Sequence, residues 1–98
     1  MLNQLVLVGR LKEIKEIKEE LLITIATPRP FKNEDGEYET DYFDILVRNG
    51  LVQNVKEYCN NNDLIGIKGR LEQIKDSVIP AIVAEKITFL SSKKVDEK

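Results

Sequence analysis

Flat rings and fixed positive charges on alternating positions are the chemistry this chain offers. Tyr42-Phe43-Asp44-Ile45-Leu46-Val47-Arg48 alternates, so an extended backbone turns Phe43, Ile45 and Val47 to one side and Tyr42 and Arg48 to the other. Leu64 to Leu71 repeats the device, with Ile65, Ile67 and Leu71 opposite Lys68 and Arg70. Near the start, Arg10 and Lys12 have the parity opposite Leu5, Leu7 and Leu11. A ring that lies flat on a base contributes ~1–3 kcal/mol whatever the base is, and cationic side chains track a phosphate backbone. A guanidinium plane does both, stacking and meeting phosphate. Three strands built this way present one mixed aromatic and basic surface.

The residues for catalysis are missing by comparison. The chain has no His, which removes Ser–His–Asp and Cys–His nucleophiles and His-ligated metals. Asp41 and Asp44 lie three apart, so in a strand they face opposite sides and share no ion. Glu37, Glu39 and Asp41 share a face if extended, without a fourth ligand or a base. Asn33-Glu34-Asp35-Gly36 suggests a calcium loop, but Phe31 and Tyr42 occupy its first and last ligand positions. Gly66-Ile67-Lys68-Gly69-Arg70 is too short for a phosphate-binding loop, and its glycines suit barrel bending. The expectation is a binding protein with no catalytic residue, metal or cofactor.

Ninety-eight residues make one domain with a modest core, since a chain this short buries only ~60–65% of its unfolded surface. Fifteen Lys and Arg against 17 Asp and Glu leave a net charge of −2, without the basic excess common in nucleic-acid binders. Where the cations sit then matters more than their number. The single Cys59 cannot form an internal disulfide, and fits an intracellular, cytoplasmic setting. No stretch approaches the ~18 apolar residues of a membrane span, and Asn3 and Gln4 interrupt any signal-like start.

These residues need elements to hold them. Five segments read as strands: Leu5–Leu11, Leu21–Thr27 (stopped by Pro28-Arg29-Pro30), Tyr42–Arg48, Leu64–Leu71 and Ala81–Leu90. In the last, Ala81, Val83, Ile87 and Phe89 fall on one side, with Glu85 as the exception. Leu51 to Cys59 has helical spacing between Asn49-Gly50 and Asn60-Asn61-Asn62, with Tyr58 expected to plug the core beside Val55 and Cys59 buried and inert. Lys12 to Glu20 repeats every three residues, a helical spacing of good helix formers. An extended hairpin is expected there instead, because strands that must pair need a short reversal. Arg29 to Thr40 reads as a long loop. The order β-β-β-α-β-β predicts an all-β domain with one short helix, a five-stranded OB-fold barrel over residues 1–90, with a flexible tail over 91–98. Val6 and Val8 face outward beside an open edge, which predicts pairing of two first strands in a homodimer.

The ordered motifs also resemble one family. Leu2-Asn3-Gln4-Leu5-Val6-Leu7-Val8-Gly9-Arg10-Leu11 is similar to the first strand of bacterial single-stranded DNA-binding proteins. Arg29-Pro30-Phe31, Gly36-Glu37 and Thr40-Asp41-Tyr42-Phe43 resemble its second loop and third strand. Asn54-Val55 with Tyr58, then Asp63 to Leu71, resemble its helix and fourth strand. The likeness runs from Leu2 to Phe89. It implies an OB-fold, a homotetramer or homodimer joined through the first strands (Asn3, Leu5, Val6 and Val8), and sequence-nonspecific grip on single-stranded DNA in replication, repair and recombination. Phe31 matches the family's loop aromatic and Tyr42 one near the start of the third strand, whereas Arg48 stands where a second aromatic is expected. Arg10, Arg29, Lys32, Arg48, Lys68 and Arg70 are then expected along the DNA backbone. Tyr38 is either a further ring for bases or a cover over the barrel.

Three departures are visible. Glu72 to Pro80 is short and lacks an aromatic, Trp is absent, and the chain stops at Lys98 without an acidic tip, so recruitment of replication proteins by such a tail is not expected. The alternative reading is an OB-fold protein-interaction or replication-restart module that binds nucleic acid weakly or not at all.

Overall fold

The computed structural model of the protein describes residues 1–91. Apart from Ser91, the tail expected over 91–98 lies outside the described residues. Strands β1 (Leu5–Ile17), β2 (Glu20–Lys32), β3 (Tyr38–Val47), β4 (Leu64–Glu72) and β5 (Ala81–Phe89), with helix α1 (Gly50–Tyr58) before β4, follow the expected order. They close a barrel in the sequence β1-β2-β3-β5-β4, the OB-fold. Among the described strands only β3 and β5 run parallel, touching at Ile45–Ile82 and Leu46–Val83.

β1 serves two neighbours. Leu5 to Arg10 pair with β4, and Arg10 to Ile17 with β2. The change of partner requires a sharp bend, and Gly9 stands at it: a Cβ there would lie 2.4 Å from the Ala26 carbonyl oxygen and 2.6 Å from Ile25 Cγ2. Two bulges then explain spacings that look helical or irregular in the sequence. The register shifts between Leu11 and Glu13, so Leu11 and Ile14, three apart, pair with the inward Ile25 and Ile23. The three-residue repeat is therefore strand, as expected, turning at Lys18 with φ 58°. The same bulge removes Lys12 from the strand alternation that was to align it with Arg10.

On β5 the shift falls at Glu85, because Lys68 faces Lys86 while Gly69 faces Ala84. Ile82 and Ala84 point inward before it, and Ile87 and Phe89 after it. This corrects the assignment of Ala81 and Val83 to the inner side. Leu71, expected in the core, lies past its last layer and is exposed. The prolines do not end β2, which continues to Lys32 with an irregular register between Pro28 and Lys32. The expected loop from Arg29 to Thr40 is thus mostly hairpin, with a tight turn over 33–37 organised by Asn33, whose Oδ1 accepts from the amides of Asp35 and Glu37.

The core is aliphatic: Leu11, Leu21, Ile23, Ile25, Ile45, Val47, Ile65 and Ile67 are at most 1% exposed. A nine-residue helix is marginal alone. α1 is held by Val55 and Cys59 in that core, with Leu51 and Val52 beside them, and by the Lys56–Glu16 pair at 3.0 Å. Tyr58 is not the expected plug. It is 55% exposed, its ring tilted against Phe89 at 5.8 Å, because Val55 and Cys59 already fill the inward face. Burial, then the charge of Asp63, pushes the Cys59 thiol up to about 11. At pH 7.5 the native protein is therefore expected to resist maleimide, with full labelling on denaturation; rapid native labelling would contradict this placement.

Candidate nucleic-acid interface

The β2–β3 hairpin rises beyond the barrel, and strand alternation gives this arm two faces. One carries Tyr38, Thr40, Tyr42, Asp44 and Leu46 of β3, paired in order with Lys32, Pro28, Ala26, Thr24 and Leu22 of β2. Arg48, just past β3, continues the same parity. This face is the outer surface of the barrel. Arg10 joins it, since Arg10 pairs with Ala26 and Ala26 with Tyr42. Two strand spacings place Arg10 and Tyr42 ~10 Å apart, with only a methyl group between them.

Tyr42 and Tyr38 are 64% and 58% exposed, and Phe31 on the arm is 78% exposed. Lys32 Nζ sits 5.8 Å from the Tyr38 ring centre, so Tyr38 is part of the outer face and not a cover over the barrel. Arg10 donates to the Asn62 carbonyl at 3.2 Å and Lys12 to Asn62 Oδ1 at 2.6 Å, so both cations are positioned by one residue with φ 72°.

The arm's other face is an ion-pair face. Arg29 donates to both oxygens of Asp41, at 3.0 and 2.9 Å, and to Glu39 at 2.9 Å. The hydrogen bond from Arg29 holds the Asp41 carboxyl below the usual range, and Asp41 in turn raises Arg29. Arg29 therefore lies opposite Tyr42 rather than beside it. Asp44 faces the other way and accepts from Thr24 at 2.7 Å, so the two aspartates are separated as their spacing required. Among the described residues no group of three or more His, Cys, Asp or Glu is placed to hold a metal ion.

The single mixed surface read from the alternation breaks down at the far end of the strip as well. Arg48 and Arg70 are not free: Glu72 bridges them, Glu20 lies 3.4 Å from Arg48, and Glu85 accepts from Arg70 at 3.0 Å. Those carboxylates come from the ends of β2 and β4 and from the β5 bulge, so no local motif announced them. Lys68 lies two residues along β4 from Arg70 and is exposed, without an ion pair among the described residues. Its cross-strand partners are Val6 and Lys86. Two lysines directly opposite repel, and the sequence reading missed Lys86 because the Glu85 bulge hid its parity.

Among the expected interface residues, Val6 and Val8 are 71% and 46% exposed. The edge is half open: residues 5–9 of β1 pair with β4 alone, and on the other side Thr27 Oγ1 donates to the Val8 carbonyl at 3.2 Å. Leu5 is half-buried. Asn3 spends its amide within the chain, donating to the Leu71 carbonyl at 2.8 Å and accepting from the Leu71 amide at 2.9 Å. No helix among the described residues is long and apolar enough to cross a membrane.

Comparison with known proteins agrees with this architecture. A profile described as "Single-strand binding protein family" matches residues 2–90. Single-stranded DNA-binding protein 3 of Listeria innocua is 34% identical over 106 residues, covering 95% of this chain and 66% of that protein. Single-stranded DNA-binding protein 2 of Staphylococcus aureus is also 34% identical, covering 95% of this chain and 75% of that protein. The solved mitochondrial single-stranded DNA binding protein of S. cerevisiae superposes with a TM-score of 0.73 at 23% identity, over 94% of this chain and 99% of that one.

Proposed function

The chain belongs to the single-strand binding protein family, and we propose that it binds single-stranded DNA without sequence preference, through the outer face of β3 and its neighbours. The observation that carries this reading is the exposed row of Tyr38, Tyr42 and Arg10 on one continuous face, with Phe31 exposed on the same arm. Rings in water have no packing role to explain them, and a base laid on each removes that apolar surface from solvent. Arg10, Lys32 and Lys68 supply phosphate contacts, joined by Lys86, whose repulsion from Lys68 a phosphate between them relieves. Arg29, Arg48 and Arg70 are weaker contributors in this scheme, each already holding a carboxylate. The role is binding rather than catalysis, in the handling of exposed strands during replication, repair and recombination in the cytoplasm.

Val6 and Val8 support self-association. Two copies of the half-open β1 edge, set side by side, cover both the free backbone groups and the valines, giving a homodimer from which a homotetramer can be built. Asn3, committed to Leu71, borders that contact without supplying its energy.

Titration of a fluorescent oligo-dT, followed by anisotropy at low salt, tests the function. Saturable binding is expected at micromolar protein, weakening as salt rises because released counterions contribute to affinity. Absence of binding at low salt would remove the proposal.

A further inference from the structure

The carboxylate of Glu72 lies between two guanidiniums. Arg48 Nη2 is 3.2 Å from Glu72 Oε1 and Arg48 Nη1 donates to Oε2 at 3.3 Å, while Arg70 Nη2 donates to the same Oε2. A phosphate offers the same planar pair of oxygens to a guanidinium fork. Arg48 and Arg70 also line one cleft of about 530 Å³, with Asn49, Asn54, Val83 and Glu85. Val83, the cross-strand partner of Arg70, is only 2% exposed. Among the described residues the network does not satisfy itself: Arg48 Nε is buried without a hydrogen-bond acceptor, with Glu20 at 3.4 Å.

We propose that the Arg48–Arg70 pair beside this cleft is a backbone-phosphate site whose guanidiniums Glu72 holds in the free protein, so that an arriving single strand must displace an internal carboxylate to reach them. The site lies at the end of the Tyr38–Tyr42 strip, where a strand following that face arrives. Displacement frees the arginines for the phosphate but leaves Glu72 to recover its own counterion. Affinity and salt dependence are both held below what the cations alone would give, a built-in limit on how tightly the chain grips. In the free protein the hydrogen bonds from Arg70 and then Arg48 hold the Glu72 carboxyl below its usual range.

This rests on the proposed DNA binding, and the experiment separates the two. Wild type, Glu72→Gln, Glu85→Gln and Glu57→Gln are titrated with labelled oligo-dT over a salt series, with thermal melts of each. Glu57 is exposed on α1 and, among the described residues, bonded only to Gln53, so its variant controls for the lost charge. Glu72→Gln is expected to raise affinity roughly three- to tenfold over Glu57→Gln. It should also steepen the slope of log K against log salt, by at most ~1.4 at ~0.7 for each arginine, because Glu85 still pairs with Arg70 and Glu20 still lies beside Arg48. Glu85→Gln removes one of the two carboxylates that hold Arg70 and leaves Glu72 in place, so it should give a smaller steepening in the same direction, and stands in if Glu72→Gln fails to fold. If wild type binds and these variants match Glu57→Gln, the internal competition is wrong while DNA binding stands. If no variant binds, both fall; binding gained only by Glu72→Gln supports the competition.

Discussion

Tyr42→Ala is expected to weaken binding of oligo-dT by about 1–3 kcal/mol, a loss of roughly five- to 150-fold, with no change in thermal stability. The ring is 64% exposed and sits outside the core, so its removal opens no cavity. Its neighbour Ala26 is too small to replace it as a platform, and Arg10 beyond Ala26 keeps its place through Asn62. Anisotropy titration beside a melting curve checks both halves of the statement. A variant that binds like wild type would move the stacking surface off β3 and favour the reading of the barrel as a protein-interaction module. A variant that melts early would give the tyrosine a structural role.

Gly9→Ala is expected to destabilise the protein by about 3 kcal/mol, the upper end of overpacking costs, because the clash is with backbone. The added carbon would meet the Ala26 carbonyl oxygen at 2.4 Å and Thr27 Oγ1 at 2.7 Å, where β1 leaves β4 for β2. A flexible side chain can yield; a ladder carbonyl at the closure of a barrel cannot without opening the β1–β2 seam. The melting temperature should fall by roughly 10–20 °C. Gly50→Ala is the matched comparison, since nothing lies within 4 Å of its Cβ position and the residue begins α1. A Gly9→Ala protein as stable as wild type would show that the seam is softer than its geometry indicates.

The element order and the inner face of β3 were legible because they are local. Phe43, Ile45 and Val47 alternate against Tyr42 and Asp44 within one strand, and the period of two needs no knowledge of a partner. The reversal after Ile17 was legible for a related reason: a strand flanked by strands turns more readily than it starts a short helix. Where an extra residue was inserted, local reading failed. A bulge adds one position to a strand without altering its composition, so Val83 was assigned inward and Lys86 went unnoticed until the pairing across β4 was known. Tyr58 failed differently, for helical spacing names a face but not which of its residues runs out of room.

Residue types and their alternation were enough to determine a five-stranded barrel with outward rings on β3, and the family followed from the resemblance of its ordered motifs. The partners of the arginines were decided only by the tertiary structure. Glu20 and Glu72 lie 28 and 24 positions from Arg48, and Glu85 lies 15 from Arg70, by subtraction of residue numbers, and Glu72 reaches Arg48 only because β5 closes the barrel between β3 and β4. Charge pairing depends on distance through space, which a linear pattern of signs does not contain. Whether a cation meets DNA directly or first meets a carboxylate is therefore set by how the sheet closes.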